Sequence, residues 1–417
     1  MRRSPGIVLA GLLALASPAA ATIGTIDNVP AATLMLPYFE VDLDNSQGVN
    51  TLFSINNSAA EAVLTKVVVW SDQSVPVLNF NLYLTGYDVQ TINMRDILVF
   101  GNVPRTASDG QDPIDTISPQ GPLSQDINFA SCTNLPFTNP AISSSFRAHL
   151  QAWLTGNESP ETHNCAGSKA NLGAPPRIAR GYITIDTVNA CNLFFPGDWA
   201  TYGPFLTDQN VLWGDWFIVN PGQNFAQGDM LVHIESCPAC FEPGDHTFYG
   251  RYNNATADDG REPLPTTWAS RYLNGGPFDG GTSLLIWREG DNTTAAYSCA
   301  LQGPPTWYPL NTRQVLIFDE QEEPVLVENC PGFCPEPPNP MVNETQRVSV
   351  ADGLLSPFDF GWVYLNLQHS ELILQYADEA AQSWVIVVMD ASGRFSVGYD
   401  VLQLDSANDP ADPIAVP

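Results

Sequence analysis

Positive charge is what this chain has least of. Lysine occurs only at Lys66 and Lys169, and 16 basic residues face 45 acidic ones, for a formal net charge of −29. So acidic a surface repels nucleic acid phosphates and anionic headgroups, which excludes a nucleic-acid partner. It favours solubility and draws divalent cations, but it argues nothing about fold. Long apolar runs are missing beyond the N-terminal stretch, so no later segment approaches the roughly 20 residues of a membrane-spanning helix. No fixed period marks a solenoid or propeller. Common catalytic signatures are missing too. None of His149, His163, His233, His246 and His369 is followed by Glu, neither lysine follows glycine, and no G-x-S-x-G elbow occurs, which excludes zincin, P-loop and hydrolase-elbow patterns.

What is present begins at the N-terminus. Arg2 and Arg3, the apolar run 7–16 and Ala19-Ala20-Ala21 have the layout of a secretory signal peptide. They predict cleavage after residue 21 and an exported chain, periplasmic or extracellular. Residues 406–417, polar and Pro-rich, read as a flexible tail without a lipid-anchor signal. Export makes the eight cysteines a disulfide question. Cys132, Cys165, Cys191, Cys237, Cys240, Cys299, Cys330 and Cys334 predict four bridges. Short loops favour Cys237–Cys240, Cys330–Cys334 and Cys132–Cys165, leaving Cys191 for Cys299.

The apolar share of 44% is enough for a packed core. Runs rich in β-branched and aromatic residues dominate, at 51–57, 62–71 and 77–84, then 146–154, 178–188, 211–220 and 230–236. Later ones cover 283–287, 314–318, 325–328, 362–367, 384–389 and 394–401. In 77–84, Leu78, Phe80, Leu82 and Leu84 alternate with Asn79, Asn81 and Tyr83, the period of a strand with one face buried and the other wet. Asp390-Ala-Ser-Gly393 reads as a hairpin turn, and 371–381 is the best helical candidate. The expected fold is all-β: an antiparallel β-sandwich over 22–405 with long disulfide-pinned insertions at 101–145, 157–176 and 253–282. Two sandwiches meeting near 145–180 are the alternative.

Three places carry candidate chemistry. Asp42 and Asp44, in the loop Asp42-Leu-Asp-Asn-Ser-Gln-Gly48, offer the oxygen ligands that Ca²⁺ prefers, although Gln47 stands where an EF-hand has glycine. Turn chemistry explains the same residues equally. Cys237-Pro-Ala-Cys240 suggests a structural bridge first. Thiol exchange, or a zinc set with His233 and His246, is the sharper alternative. Trp199, Trp213, Trp216, Trp268, Trp287 and Trp307 crowd the middle of the chain, and Trp213 and Trp268 are candidate sugar-stacking platforms set against a role as core filling.

These features predict an exported, non-enzymatic structural or binding protein of the cell envelope or extracellular matrix. Envelope components, polysaccharide or other protein subunits are its expected partners. The alternatives are an extracellular carbohydrate-binding or carbohydrate-active protein, and a periplasmic thiol-redox or metal protein centred on Cys237 and Cys240.

Overall fold

A computed structural model describes residues 28–104, 142–168, 176–253, 256, 258–290, 295–299, 310, 312–327, 341–354, 356–368 and 381–405. The expected signal peptide and tail, Cys132, Cys330, Cys334 and the helical candidate at 371–380 lie outside them. No helix among the described residues is long and apolar enough to cross a membrane.

The described residues form nineteen strands. The first half of the chain supplies β1 (Thr33–Asp42), β2 (Asn50–Asn57), β3 (Val63–Ser71), β4 (Pro76–Leu84), β5 (Val89–Asn93), β6 (Ile178–Thr187), β7 (Leu212–Trp213), β8 (Asp215–Asn220), β9 (Phe225–Met230) and β10 (Val232–Ile234). The second half supplies β11 (Thr267–Leu273), β12 (Gly281–Arg288), β13 (Gln314–Phe318), β14 (Pro324–Val327), β15 (Thr345–Ser349), β16 (Phe360–Asn366), β17 (Ser383–Asp390), β18 (Ser396–Tyr399) and β19 (Leu402–Gln403).

They build four antiparallel sheets in a sandwich-like, all-β arrangement. The first sheet has the order β10-β1-β6-β3-β4, and the second β5-β2-β8-β9 with β7 also on β2. The third is β14-β13-β16-β11-β19 and the fourth β15-β12-β17-β18. Because β6 lies between β1 and β3, a boundary at 145–180 would cut a sheet. β1–β10 fill the first and second sheets and β11–β19 the third and fourth, so the chain passes from one pair of sheets to the other between Ile234 and Thr267.

Alternation along the strands explains how the layers stack. Phe53 and Ile55 of β2 and Trp216 and Ile218 of β8 meet Leu34, Leu36, Val67 and Ile183 of the first sheet in one core. β12 and β17 of the fourth sheet are buried on both faces. Leu284, Ile286, Val385 and Val387 enter a second core with the third sheet, whereas Leu285, Ile386 and Val388 reach the first core. Strands buried on both faces read as continuous apolar runs, as here. At roughly 1.5–3 kcal/mol per buried large aliphatic or Phe side chain, these two-faced strands tie the halves together.

Three expectations are corrected. Residues 146–154 form part of a helix, α1 (Ser144–Leu154), not a strand. Ser143 caps it, its Oγ accepting from the Phe146 amide at 3.1 Å, and buried Leu150 and Leu154 recur at helical spacing. The insertion at 253–282 contains β11. β1, buried along its whole length, was not anticipated: Pro37 interrupts its pattern, and its register shifts between Leu36 and Phe39. The turn at 390–393 does join β17 and β18, with Gly393 at φ 79°.

Candidate functional site

The outer face of the second sheet carries an open groove of about 470 Å³. Strand alternation builds it. Phe53, Ile55, Trp216 and Ile218 point to the core, so Leu52, Ser54 and Asn56 of β2 and Asp215 and Phe217 of β8 point outward. Trp213 of β7 pairs with Asn56, Phe217 with Leu52, Thr91 of β5 with Ser54, and Asn93 with Leu52. Rows of side chains therefore cross the sheet, with Asp96 beyond them at the rim.

Two large aromatic side chains remain open to solvent there, Trp213 at 36% and Phe217 at 48%. Two glycines make room for this surface. A Cβ on Gly214 would fall 2.2 Å from the Ser54 carbonyl oxygen, and one on Gly228 would fall 2.4 Å from the ring of Phe217. The polar floor is a relay: Asn56 Nδ2 donates to Ser54 Oγ at 3.0 Å, and Ser54 Oγ donates to Asp215 Oδ1 at 2.7 Å. Asn56 is only 2% exposed, yet its Oδ1 has no hydrogen-bond partner among the described residues. Such an acceptor costs about 1–3 kcal/mol unless a donor reaches it.

The other anticipated residues lie elsewhere. Trp268 is 1% exposed, packs edge-on against Trp384 and donates from Nε1 to Ser383 Oγ at 2.9 Å. Its edge lines a separate 220 Å³ cleft that also holds Asp229, Tyr399 and Asp400. There, partial burial and the neighbouring Asp400 push the Asp229 pKa up. Trp213 and Trp268 therefore do not form one platform.

The 42–48 loop is closed by guanidinium groups. Arg95 donates from Nη2 to the carbonyls of Asn45, Gly48 and Val49 at 3.1, 3.2 and 2.9 Å and from Nη1 to that of Ser46 at 2.8 Å. Asp42 Oδ1 accepts from the amides of Asp44 and Asn45. Arg177 forks onto Asp44, with Nη2 2.6 Å from Oδ1, and its hydrogen bonds hold that carboxyl below the usual range. Asp42 Oδ1 and both carboxylate oxygens of Asp44 are thus engaged by arginine and backbone amides.

Cys237 and Cys240 are bonded to each other, as short-loop pairing predicts. Cys165 pairs with Cys299, which overturns the expected Cys132–Cys165 and Cys191–Cys299 bridges. The cause is local: residues 165 and 297 form an antiparallel bridge, so chain segments remote in sequence lie side by side. Cys191 is also disulfide-bonded, and its partner lies outside the described residues. Among the described residues, no cluster of three or more metal-ligating side chains occurs. His233 Nδ1 contacts the Val29 carbonyl at 2.8 Å and His246 Nε2 contacts Glu289 at 3.0 Å.

The strongest electrostatic perturbation is internal, where the two halves meet. Arg251 Nη1 lies 2.7 Å from Glu344 Oε1, which also accepts from Ser74 Oγ and Tyr182 OH at 3.0 and 3.1 Å. Burial opposes the charge on Arg251, but Glu344, Tyr252 and Tyr182 outweigh it and raise its pKa well above the ordinary value. Burial likewise opposes ionisation of Glu289, yet His246 and Arg251 hold its pKa below the ordinary value. Asp186 accepts from Thr33 Oγ1, Tyr202 OH and Tyr249 OH at 2.6, 2.5 and 2.7 Å.

No protein-family model matches the chain, and no characterised protein or solved structure matches it either. Of the groove residues, the sequence reading singled out Trp213 alone. Trp213, Asp215 and Phe217 stand at alternate positions, as do Ser54 and Asn56. That period of two was the available signal for the rest.

Proposed function

We propose that this is an exported, non-enzymatic binding protein whose groove on β2, β5, β7 and β8 holds a neutral carbohydrate chain. The observation that carries the reading is the exposed pair Trp213 and Phe217 beside a polar floor of Ser54, Asn56 and Asp215. Flat aromatic faces suit the C–H faces of sugar rings, and the Asp215 carboxylate and Ser54 hydroxyl that line the groove suit their hydroxyl groups. The groove's volume falls in the range of roughly 300–1,000 Å³ typical of small-ligand sites. Asp96, Asp215 and the net charge of −29 disfavour uronate or sulfated chains, so the ligand is uncharged. Binding is the role assigned, because the polar groups gathered here orient hydroxyls and Asp215 already accepts from Ser54. Disulfide pairing and the lack of a membrane-crossing helix among the described residues are compatible with export.

Affinity electrophoresis tests this. The acidic protein should be retarded in gels containing a soluble neutral glucan or glucomannan, and Trp213→Ala and Phe217→Ala should each restore free mobility. Unretarded wild-type protein across neutral polysaccharides, or variants retarded as strongly as wild type, would overturn the reading.

A further inference from the structure

Lys66, one of only two lysines, sits in the middle of β3 with 0% exposure. Its Nζ contacts Asn79 Oδ1 at 2.5 Å and the Asn192 carbonyl oxygen, and no carboxylate pairs with it among the described residues. Asn79 belongs to β4 and pairs with Val68, so it is the diagonal neighbour of Lys66 on the same sheet face. Asn79 Nδ2 donates to the Leu193 carbonyl at 3.3 Å, which leaves its Oδ1 side turned to the amine. A buried ammonium without a counter-ion is costly, and burial brings the Lys66 pKa down to about 7. Much of the amine is therefore an uncharged nucleophile at neutral pH, in a place that excludes water.

From this juxtaposition we propose that Lys66 and Asn79 become joined by an intramolecular isopeptide bond. Nζ attacks Cγ of Asn79, a C–N bond forms, and the Cγ–Nδ2 bond breaks. One proton passes from Nζ to Nδ2, which departs as ammonia, so atoms and charge balance without any oxidant or co-reactant. The product keeps one N–H on Nζ, which the Asn192 carbonyl accepts. β4 is an edge of its sheet, so the bond fastens an edge strand to its one neighbour, β3. This inference stands apart from the groove and does not depend on its ligand.

Lys66 is the only basic residue between Thr22 and Arg95, which gives a direct readout. Trypsin cuts the reduced, denatured protein after Lys66 only if that amine is free. The wild-type chain should resist this cut and weigh about 17 Da less than its sequence requires, the mass of one ammonia. Asn79→Ala should regain both the cut and the full mass. Ready cleavage after Lys66 in wild-type protein, no mass deficit, or a block that persists in Asn79→Ala would each overturn the proposal.

Discussion

The open groove and the buried junction are both polar, but they are polar in opposite ways. At the junction, Arg251 faces Glu344, His246 faces Glu289, and Asp186 takes hydrogen bonds from three hydroxyl groups. At the groove, the titratable side chains are few and Trp213 and Phe217 stand open to solvent. A search guided by perturbed pKa values alone would pick the junction. Here shifted ionisation marks the seam of the scaffold and exposed aromatic side chains mark the surface open to a partner, while buried polar atoms without a partner among the described residues occur at both, Trp287 Nε1 at the seam and Asn56 Oδ1 at the groove.

The comparison can be broken most forcefully at the junction. Arg251→Leu leaves Glu344 buried without its cation and should cost about 3–5 kcal/mol in denaturant unfolding. Adding Glu344→Leu should return part of that loss, because the uncompensated charge goes with it. A single variant as stable as wild type would mean that the seam is wet or already neutral. At the groove the effects should invert. Phe217→Ala, at a side chain 48% exposed, should weaken glycan binding about 10-fold, near 1.4 kcal/mol, while unfolding free energy moves by less than about 0.5 kcal/mol. A large loss of stability with unchanged binding would make the groove floor a structural element.

A third prediction uses acid. The Glu289 pKa lies below its ordinary 4.5 in the folded chain, so its contribution to stability is complete above that pH and is lost as pH falls through the folded value. Glu289→Gln should therefore be less stable than wild type at neutral pH, with the gap narrowing below pH 4.5 in pH-resolved unfolding. A gap that does not change with pH would show that packing alone is responsible. The smallest effect belongs to the 42–48 loop. Because Arg95 and Arg177 already fill it, excess chelator should leave the melting temperature unchanged, and a clear drop would put a structural cation back into the account.

Much of this fold was legible because sheet faces differ in what they touch. The apolar runs of β12 and β17 and the turn at Gly393 declare themselves locally, whereas Asn79, Asn81 and Tyr83 of β4, expected on a wet face, are buried like the leucines between them. β1 did not, since its neighbours on both faces are remote in sequence and Pro37 breaks its period. Residues 146–154 misled because Phe, Leu and Trp suit strands, while the deciding signal, the Ser143 cap, precedes the run. Cys165 and Cys299 stand 134 residues apart, and a preference for short loops has no way to anticipate the bridge between segments that puts them side by side. At the groove, Trp213 was visible as an aromatic, but its separation from buried Trp268 depends on which face each strand turns outward.

The central claim is best tested by titration calorimetry of the whole protein with neutral hexasaccharides, covering β-1,4-, β-1,3- and α-1,4-linked glucans. The account predicts saturable binding to one linkage type that disappears in Trp213→Ala while the melting temperature stays within a few degrees of wild type. No binding heat with any neutral chain, or undiminished binding by Trp213→Ala, would contradict it.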